Sequence, residues 1–383
     1  MAQRRLLYII GIKPTKIGGI EIFVRELGLQ MARRNCDLVL CFEASPSEQV
    51  TEFLRSENIF FEVLENQGTF SLGQLVRLAG IIRKHRPSVL IYAFNGVLRA
   101  YPWLARLMLV PRIYYNDHSS RAIGFVAKRR PLIKRLLARA ITWPVNGSIC
   151  VSGYVKACAE KDGFLPADRI FVVYNGVDLE RVNRGASKRN VFRESLGISA
   201  EELVVLQVCW MVPVKGVETL LRAAAQVVDR CPGIRFVLVG DGEKRHEYEM
   251  LAEELGISRK VVWTGVVANP TEEGVFAAAD VYCQCSQWEE ACPLSVMEAM
   301  SFSLPVIAAR VGGIPELVSD GVCGLLISRG DQNALAENIV RLASDERVRR
   351  QMGEESRKRA ETLFDVRRTA ALYLQRCGIT NRD

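Results

Sequence analysis

Two glutamates, Glu290 and Glu298, stand with seven residues between them in QWEEACPLSVMEAMSFSLPVIAARVGGIPELV, residues 287–318. Pro293 suits the first turn of a helix, because the N–H it lacks is one that a helix start leaves unused. With a helix beginning there, the backbone amides near Leu294 and Ser295 point out of its N-terminus, where the helix dipole stabilises a diphosphate. One turn in, Glu298 can accept from both hydroxyls of a ribose, and Glu290 in the preceding loop can reach a sugar beyond the phosphates. The competing reading is a pair of carboxylates on a solvated helix face. Glu298 lies among Val296, Met297, Ala299 and Met300, poor surroundings for a free charge.

Two further segments carry chemistry more faintly. Gly18-Gly19-Ile20-Glu21 follows an apolar run and enters a helical pattern. Paired glycines let a backbone approach a ligand closely, and amides at a helix start favour phosphate, but turn glycines look the same. His118, in Asn116-Asp117-His118-Ser119, can hydrogen-bond a sugar hydroxyl or carry a proton. It reads equally as a structural or exposed histidine.

The elements that must position these residues alternate short apolar runs with amphipathic stretches, the pattern of parallel sheets covered on both faces. Strands are predicted at Leu6–Ile12, Leu38–Phe42, Ile59–Leu64, Val89–Ala93, Arg112–Tyr115, Ser148–Val151 and Ile170–Tyr174. Helical stretches are predicted at Ile20–Arg33, Leu72–His85 and Pro131–Ile141. Asn175-Gly176 then gives a turn signal, and the polar, basic stretch Glu180–Asn190 reads as a linker. Beyond it the alternation restarts, with strands at Leu203–Cys209, Phe236–Val239, Val261–Trp263, Val281–Gln284 and Val306–Ala308. Helices fall at Val217–Asp229, Lys244–Leu255 and Leu294–Ser303, and the chain is nearly all helical from Gln332, ending in Phe364–Cys377. Two doubly wound units fit this better than one large sheet, and ligands of such sheets bind at the carboxyl ends of the strands.

Composition narrows the classes. The 383 residues favour two domains, and no run of 18 apolar residues occurs, so no segment reads as a bilayer span. The basic pair and apolar run at Met1–Ile12 lead to Lys13, Pro14 and Lys16 rather than a cleavage site, so they read as a first strand. The eleven cysteines are scattered, form no Cys-x-x-Cys and do not cluster with His85, His118 or His246, which points to a reducing compartment without structural zinc. Residues 1–185 hold 27 basic and 15 acidic side chains, a net of +12, while the rest carries 24 and 28, a net of −4. That asymmetry suits a polyanionic partner (nucleic acid, membrane surface or phosphorylated ligand) or a solvated basic face.

With these motifs in order along nearly the whole chain, the sequence resembles the large retaining glycosyltransferase family 4. The Glu-seven-residues-Glu motif is Glu290 to Glu298. The phosphate-binding lysine of the family corresponds to Lys215 in VPVKGVETLLRAA, its Gly-Asp-Gly to Gly240-Asp241-Gly242, and its hinge Asn-Gly-Val-Asp to Asn175–Asp178. The Gly-Gly-x-Glu is Gly18–Glu21, and the active-site histidine is His118. The resemblance implies an α/β GT-B fold of two Rossmann-like domains facing a cleft, at 1–180 and 190–362, with a C-terminal helix at 363–383 crossing back to the first. It implies a nucleotide-diphosphate sugar bound mainly by the second domain and an acceptor bound mainly by the first. Lys215 then neutralises the diphosphate with the amides after Pro293 at Leu294 and Ser295. Glu298 holds the ribose, Glu290 holds the transferred sugar, Gly18 and Gly19 approach the phosphates, and His118 contacts the sugar near the reacting carbon. The expected reaction is a metal-independent hexosyl transfer with retention, needing no cofactor, to a glycan, glycolipid or lipid-linked acceptor of cell-surface polysaccharide or glycolipid synthesis. No Asp-x-Asp occurs.

One departure stands out. The family usually has an arginine five residues before the lysine; here that position is Trp210 in CWMVPVKG. Arg310 or Lys13 would have to compensate, or diphosphate binding weakens, and the alternative is a weak or inactive subunit acting through a protein partner. Ten Lys or Arg and a single acid, Asp117, fall within 87–140. In PLIKRLLARAI, residues 131–141, leucines alternate with basics at near-helical spacing. Arg129, Arg130, Lys134 and Arg135 would thus dock a helix on an anionic membrane or acceptor, unless the leucines pack on the sheet. A nicotinamide dehydrogenase lacks support, since Arg245 stands where a third glycine would be needed. No stacking set marks a nucleic-acid binder, whereas a GT-B phosphorylase or epimerase would share the fold. The expected location is cytoplasmic, with docking at the cytoplasmic face of a membrane.

Overall fold

The computed structural model describes residues 4–65, 71–128 and 130–380. The chain divides into two compact units: the first holds the residues up to Ser119, Val126–Gly176 and those from Val366 on, the second Ser120–Phe125 and Val177–Asp365. The crossings therefore fall at Gly176/Val177 and Asp365/Val366 rather than at 180/190 and 362/363. The six residues after Ser119 belong with the second unit.

In the first unit the order is β1 (Arg4–Ile10), α1 (Gly19–Ala32), β2 (Cys36–Phe42), α2 (Glu48–Phe53), β3 (Ile59–Val63), α3 (Leu72–His85) and β4 (Val89–Ala93). There follow α4 (Tyr101–Leu107), β5 (Arg112–Asp117), α5 (Leu132–Ile141), β6 (Gly147–Cys150), α6 (Gly153–Asp162) and β7 (Ile170–Val172). The strands form one parallel sheet in the order β3-β2-β1-β4-β5-β6-β7. Its central strands are continuous apolar runs because both faces are covered. Leu6, Leu38 and Ile91 are all fully buried.

The second unit runs α7 (Leu179–Ala186), α8 (Arg189–Ser195), β8 (Leu203–Val208), α9 (Val217–Val227), β9 (Ile234–Val239), α10 (Arg245–Glu254), β10 (Val261–Gly265) and β11 (Val281–Gln284). Then come α11 (Leu294–Ser301), β12 (Val306–Ala309), α12 (Ile314–Leu317), β13 (Gly324–Ile327), α13 (Gln332–Ser344) and α14 (Glu346–Leu363). Its parallel sheet has the order β10-β9-β8-β11-β12-β13. The last helix, α15 (Val366–Arg376), packs on α1 in the first unit, with Tyr373 edge-on to Phe23.

The expected linker Glu180–Asn190 is instead mostly helix. The Asp178 carboxylate accepts from the Glu180 and Arg181 amides at 2.9 and 3.2 Å and starts α7. Two of its basic residues are anchored rather than solvated: Arg181 is buried against Glu272 at 3.1 Å, and Arg189 pairs with Asp280 at 2.7 Å, as does Arg193 just beyond the stretch. Gly185 is required there, since a Cβ would meet the Thr271 carbonyl at 1.8 Å.

In each sheet the strand order reverses beside the first strand of the unit, between β1 and β4 and between β8 and β11. Loops diverge at such a point and leave room for a ligand. Lys215 and Glu290 sit on the loops that follow β8 and β11.

Candidate active site

Along β11 and just beyond it, Tyr282, Gln284 and Ser286 share one face by the two-residue period of a strand, and Cys283 and Cys285, on the other, join the core. The shared face carries a chain of hydrogen bonds. The Tyr282 hydroxyl donates to Gln284 Oε1 at 3.0 Å, Gln284 Nε2 to Ser286 Oγ at 3.0 Å, and Ser286 Oγ to Glu290 Oε1 at 2.5 Å. Lys215 Nζ reaches the same Glu290 oxygen at 2.6 Å. A buried carboxylate needs such partners. Lys215 and Glu290 lie in motifs that the sequence shows, whereas Tyr282, Gln284 and Ser286 are marked there only by their period-two spacing.

Glycines bring these loops together. Gly216, with φ +67°, ends the single turn that presents Lys215; a Cβ there would lie 1.9 Å from the Cys285 carbonyl oxygen. Gly312, with φ +54°, leaves no room for a Cβ against the Glu290 backbone, and the Gly313 amide donates to the Glu290 carbonyl at 2.7 Å. Neighbouring Glu289 turns the other way: it pairs with Arg329 and accepts from the Gly312 amide at 2.7 Å. Its backbone exchanges hydrogen bonds with Arg121 at 3.0 and 3.1 Å. The segment bearing Glu290 is therefore fixed on both sides.

Pro293 is the N-cap of α11 rather than a residue of its first turn, and no side chain caps that helix start. The first-turn amides at Leu294 and Ser295 thus have no side-chain acceptor, as an anion site requires. Ser295 Oγ lies 3.4 Å from Gln284 Oε1. Glu298, one turn in, accepts from Thr271 Oγ1 at 3.0 Å. Burial pushes its carboxyl above the usual range, against the pull of Thr271 and of Arg181. Neither Thr271 nor Arg181 stood out in the sequence, for both approach through contacts far along the chain.

Trp210 is 58% exposed and brings no charge. Arg310 pairs with Asp320 at 2.5 Å. In Gly240-Asp241-Gly242 both glycines pack closely: Cβ atoms on them would strike the backbone of Cys209 and Met211. Among the described residues no three His, Cys, Asp or Glu side chains converge as a metal cluster.

In the first unit, Gly18 is the N-cap of α1, and its amide donates to Glu21 Oε2 at 2.9 Å, so that donor is already engaged. Gly19 begins the helix. His118 follows β5 directly. Its Nε2 lies 2.6 Å from Asn116 Oδ1, and the Phe94 ring stacks on it at 4.5 Å. Burial pushes its pKa down to about 4, leaving the ring neutral at pH 7.

The leucines of α5 do not pack on the sheet. Leu132, Ile133, Leu136, Leu137 and Ile141 are all about half exposed or more, and only Ala138 of the helix is buried. Trp143 and Trp103 continue this apolar face, their rings 6.1 Å apart. Lys134 is exposed, whereas Arg135 is partly buried against Gly163 and Arg130 pairs with Asp162 at 3.2 Å over the Phe164 ring. Arg129 lies outside the described residues. No helix among those described is long and apolar enough to cross a membrane.

Residues 188–359 match the model of glycosyl transferases group 1, and residues 17–181 that of glycosyltransferase family 4. The chain is 28% identical to a D-inositol 3-phosphate glycosyltransferase of Saccharomonospora viridis, over 93% of this chain and 88% of that one. It is 27% identical to an N-acetyl-alpha-D-glucosaminyl L-malate synthase of Bacillus anthracis, over 93% of each. In fold it is similar to a glycosyltransferase from Rickettsia africae (TM-score 0.83, 16% identity, 98% of each chain). It is also similar to Anabaena HepE in complex with UDP and glucose (TM-score 0.76, 23% identity, 97% of this chain and 99% of that one). The two family matches, laid over the two parallel-sheet units, show that the chain belongs to the family 4 glycosyltransferases of GT-B fold.

Proposed function

We propose that the chain is a retaining hexosyltransferase that takes its sugar from a nucleotide-diphosphate donor, without a metal ion. One observation carries this: Lys215, Glu290 and the side-chain-uncapped start of α11 meet at the β8/β11 switch point, with Glu298 one turn further in. In this reading Lys215 Nζ and the amides of Leu294 and Ser295 take the diphosphate, stabilising the charge that develops as the glycosidic C–O bond breaks. Glu298 accepts from the ribose hydroxyls. Glu290, oriented by Ser286, accepts from hydroxyls of the departing sugar. The acceptor hydroxyl attacks on the face the diphosphate leaves and passes its proton to the departing phosphate oxygen, so the anomeric configuration is kept. His118 acts on the sugar, and Gly18 and Gly19 on the phosphates. The UDP complex of HepE makes UDP-sugars the first donors to test.

For the acceptor we favour a glycan, glycolipid or lipid-linked sugar of a surface polysaccharide or glycolipid pathway. The outward apolar face of α5, with its Trp103–Trp143 pair, supports docking on a membrane at its cytoplasmic side. A second reading, a subunit of weak or no activity working through a protein partner, is favoured by exposed Trp210 together with the commitment of Arg310 to Asp320. Slow hydrolysis of a UDP-sugar in EDTA, followed by NMR of the first-formed sugar, separates the two. Release of the donor anomer supports the transferase, inverted sugar removes retention, and loss of turnover in EDTA removes metal independence.

A further inference from the structure

The surroundings of His118 form a neutral relay whose direction can be read from atom types. Asn116 Nδ2 donates to the Ile149 carbonyl at 2.9 Å, which fixes the amide so that Oδ1 faces the other way. That oxygen has two lone pairs, and two groups approach it: the Tyr8 hydroxyl at 2.7 Å and His118 Nε2 at 2.6 Å. The Tyr8 hydroxyl, its proton spent on Asn116, lies 3.4 Å from that of Tyr373, which can only donate to it. The relay therefore runs from α15 through β1 to the end of β5. Phe94, stacked on the imidazole, holds φ +59°, a strained setting for a residue with a Cβ.

We infer that Asn116 and Tyr8 are positioning residues that lock His118 in the Nε2–H tautomer and leave Nδ1 as a hydrogen-bond acceptor. The inference rests on the reading of His118 as a group that acts on the sugar. An acceptor nitrogen recognises a ligand that donates, so the partner of Nδ1 is a sugar hydroxyl rather than a phosphate or carboxylate oxygen. The groups packed around the ring agree: Tyr8 and Tyr373 are buried with their pKa values raised, hence neutral, and burial keeps the imidazole itself uncharged. Asp117 on the same strand turns its Oδ1 to the Ser119 amide at 2.9 Å.

The test is a two-bond proton–nitrogen NMR correlation at pH 7 on the full chain. Its three histidines make the His118 signals assignable from a His118→Ala variant. The wild type is expected to show His118 protonated on Nε2 alone. Asn116→Leu should mix the tautomers and lower kcat about tenfold with KM nearly unchanged, and Tyr8→Phe should lower kcat about threefold. Asn116→Asp, which restores the acceptor, should recover the Nε2–H tautomer. A wild-type ring protonated on Nδ1, or an Asn116→Leu protein with unchanged tautomer and kcat, overturns the inference. Transfer by His118→Ala at the wild-type rate, with the tautomer as described, overturns instead the reading of His118 on which it rests.

Discussion

The polar constellations of the two units are built on opposite principles. Beside β11 a full ion pair, Lys215–Glu290, ends a chain of neutral donors that starts on the strand and finishes on loops held close by glycines. Beside β5 the chain Tyr373–Tyr8–Asn116–His118 carries no charge, and two of its three links span 365 and 108 positions of sequence. Charge is needed where charge must be met: a diphosphate demands a fixed cation and amides. A neutral imidazole suits a ligand that offers only hydroxyls. In a setting of low dielectric, an uncompensated charge at either place would be costly.

The largest effect that would sharpen this contrast is expected from Glu290→Gln, which keeps the shape of the side chain but removes its charge. It should reduce kcat on the order of 100-fold, about 3 kcal/mol of barrier, whereas loss of the Ser286 hydroxyl in Ser286→Ala should cost about tenfold. Steady-state kinetics on one acceptor read both, and equal losses would mean that charge has no special part. A pair of substitutions on α5, Leu136→Ser with Leu137→Ser, should weaken flotation with anionic vesicles about tenfold while leaving donor hydrolysis intact. Unchanged flotation would remove the membrane from the account. Trp210→Arg introduces a cation near Lys215 and should tighten donor binding about tenfold, the lower end of the scale of a charge-assisted hydrogen bond; no change by calorimetry would show that the clamp is complete without it.

The smallest effects are on stability. Burial raises the Glu298 carboxyl, so its charged form is disfavoured in the fold and the penalty grows as pH rises through the folded value. Glu298→Gln should therefore raise the melting temperature of the protein alone at pH 7–8 by about 2 °C while weakening donor binding. His118 has the opposite linkage. Its folded pKa of about 4 is below the unfolded value near 6.5, so its contribution is complete above pH 6.5 and is lost progressively down to about 4. A His118→Gln protein should lack that part of the acid decline in melting temperature.

The same contrast explains how far the sequence could be read. Sheets were legible because buried parallel strands such as Val89–Ala93 and Val281–Gln284 are continuous apolar runs. Glu290 and Lys215 stand out in the sequence because short motifs around glycine and proline build their loops, and Glu298 because it lies one turn into α11 among apolar residues. The linker was misread because Arg181, Arg189 and Arg193 look solvated until Glu272 and Asp280 arrive from about 90 residues away. Asn116 and Tyr8 escaped for the same reason. They are ordinary strand residues whose role appears only when β1, β5 and α15 are assembled. The outward leucines of α5 have the helical spacing of a core face, and only their exposure tells the difference.

The most direct test of the central claim is calorimetric titration of UDP-, GDP- and ADP-sugars into the metal-free protein, its Lys215→Ala variant and its Glu298→Ala variant. The account predicts that one nucleotide class binds the wild type and that binding weakens by roughly tenfold or more in each variant. Wild-type affinity in both variants, or no binding of any nucleotide sugar to the wild type, would contradict it.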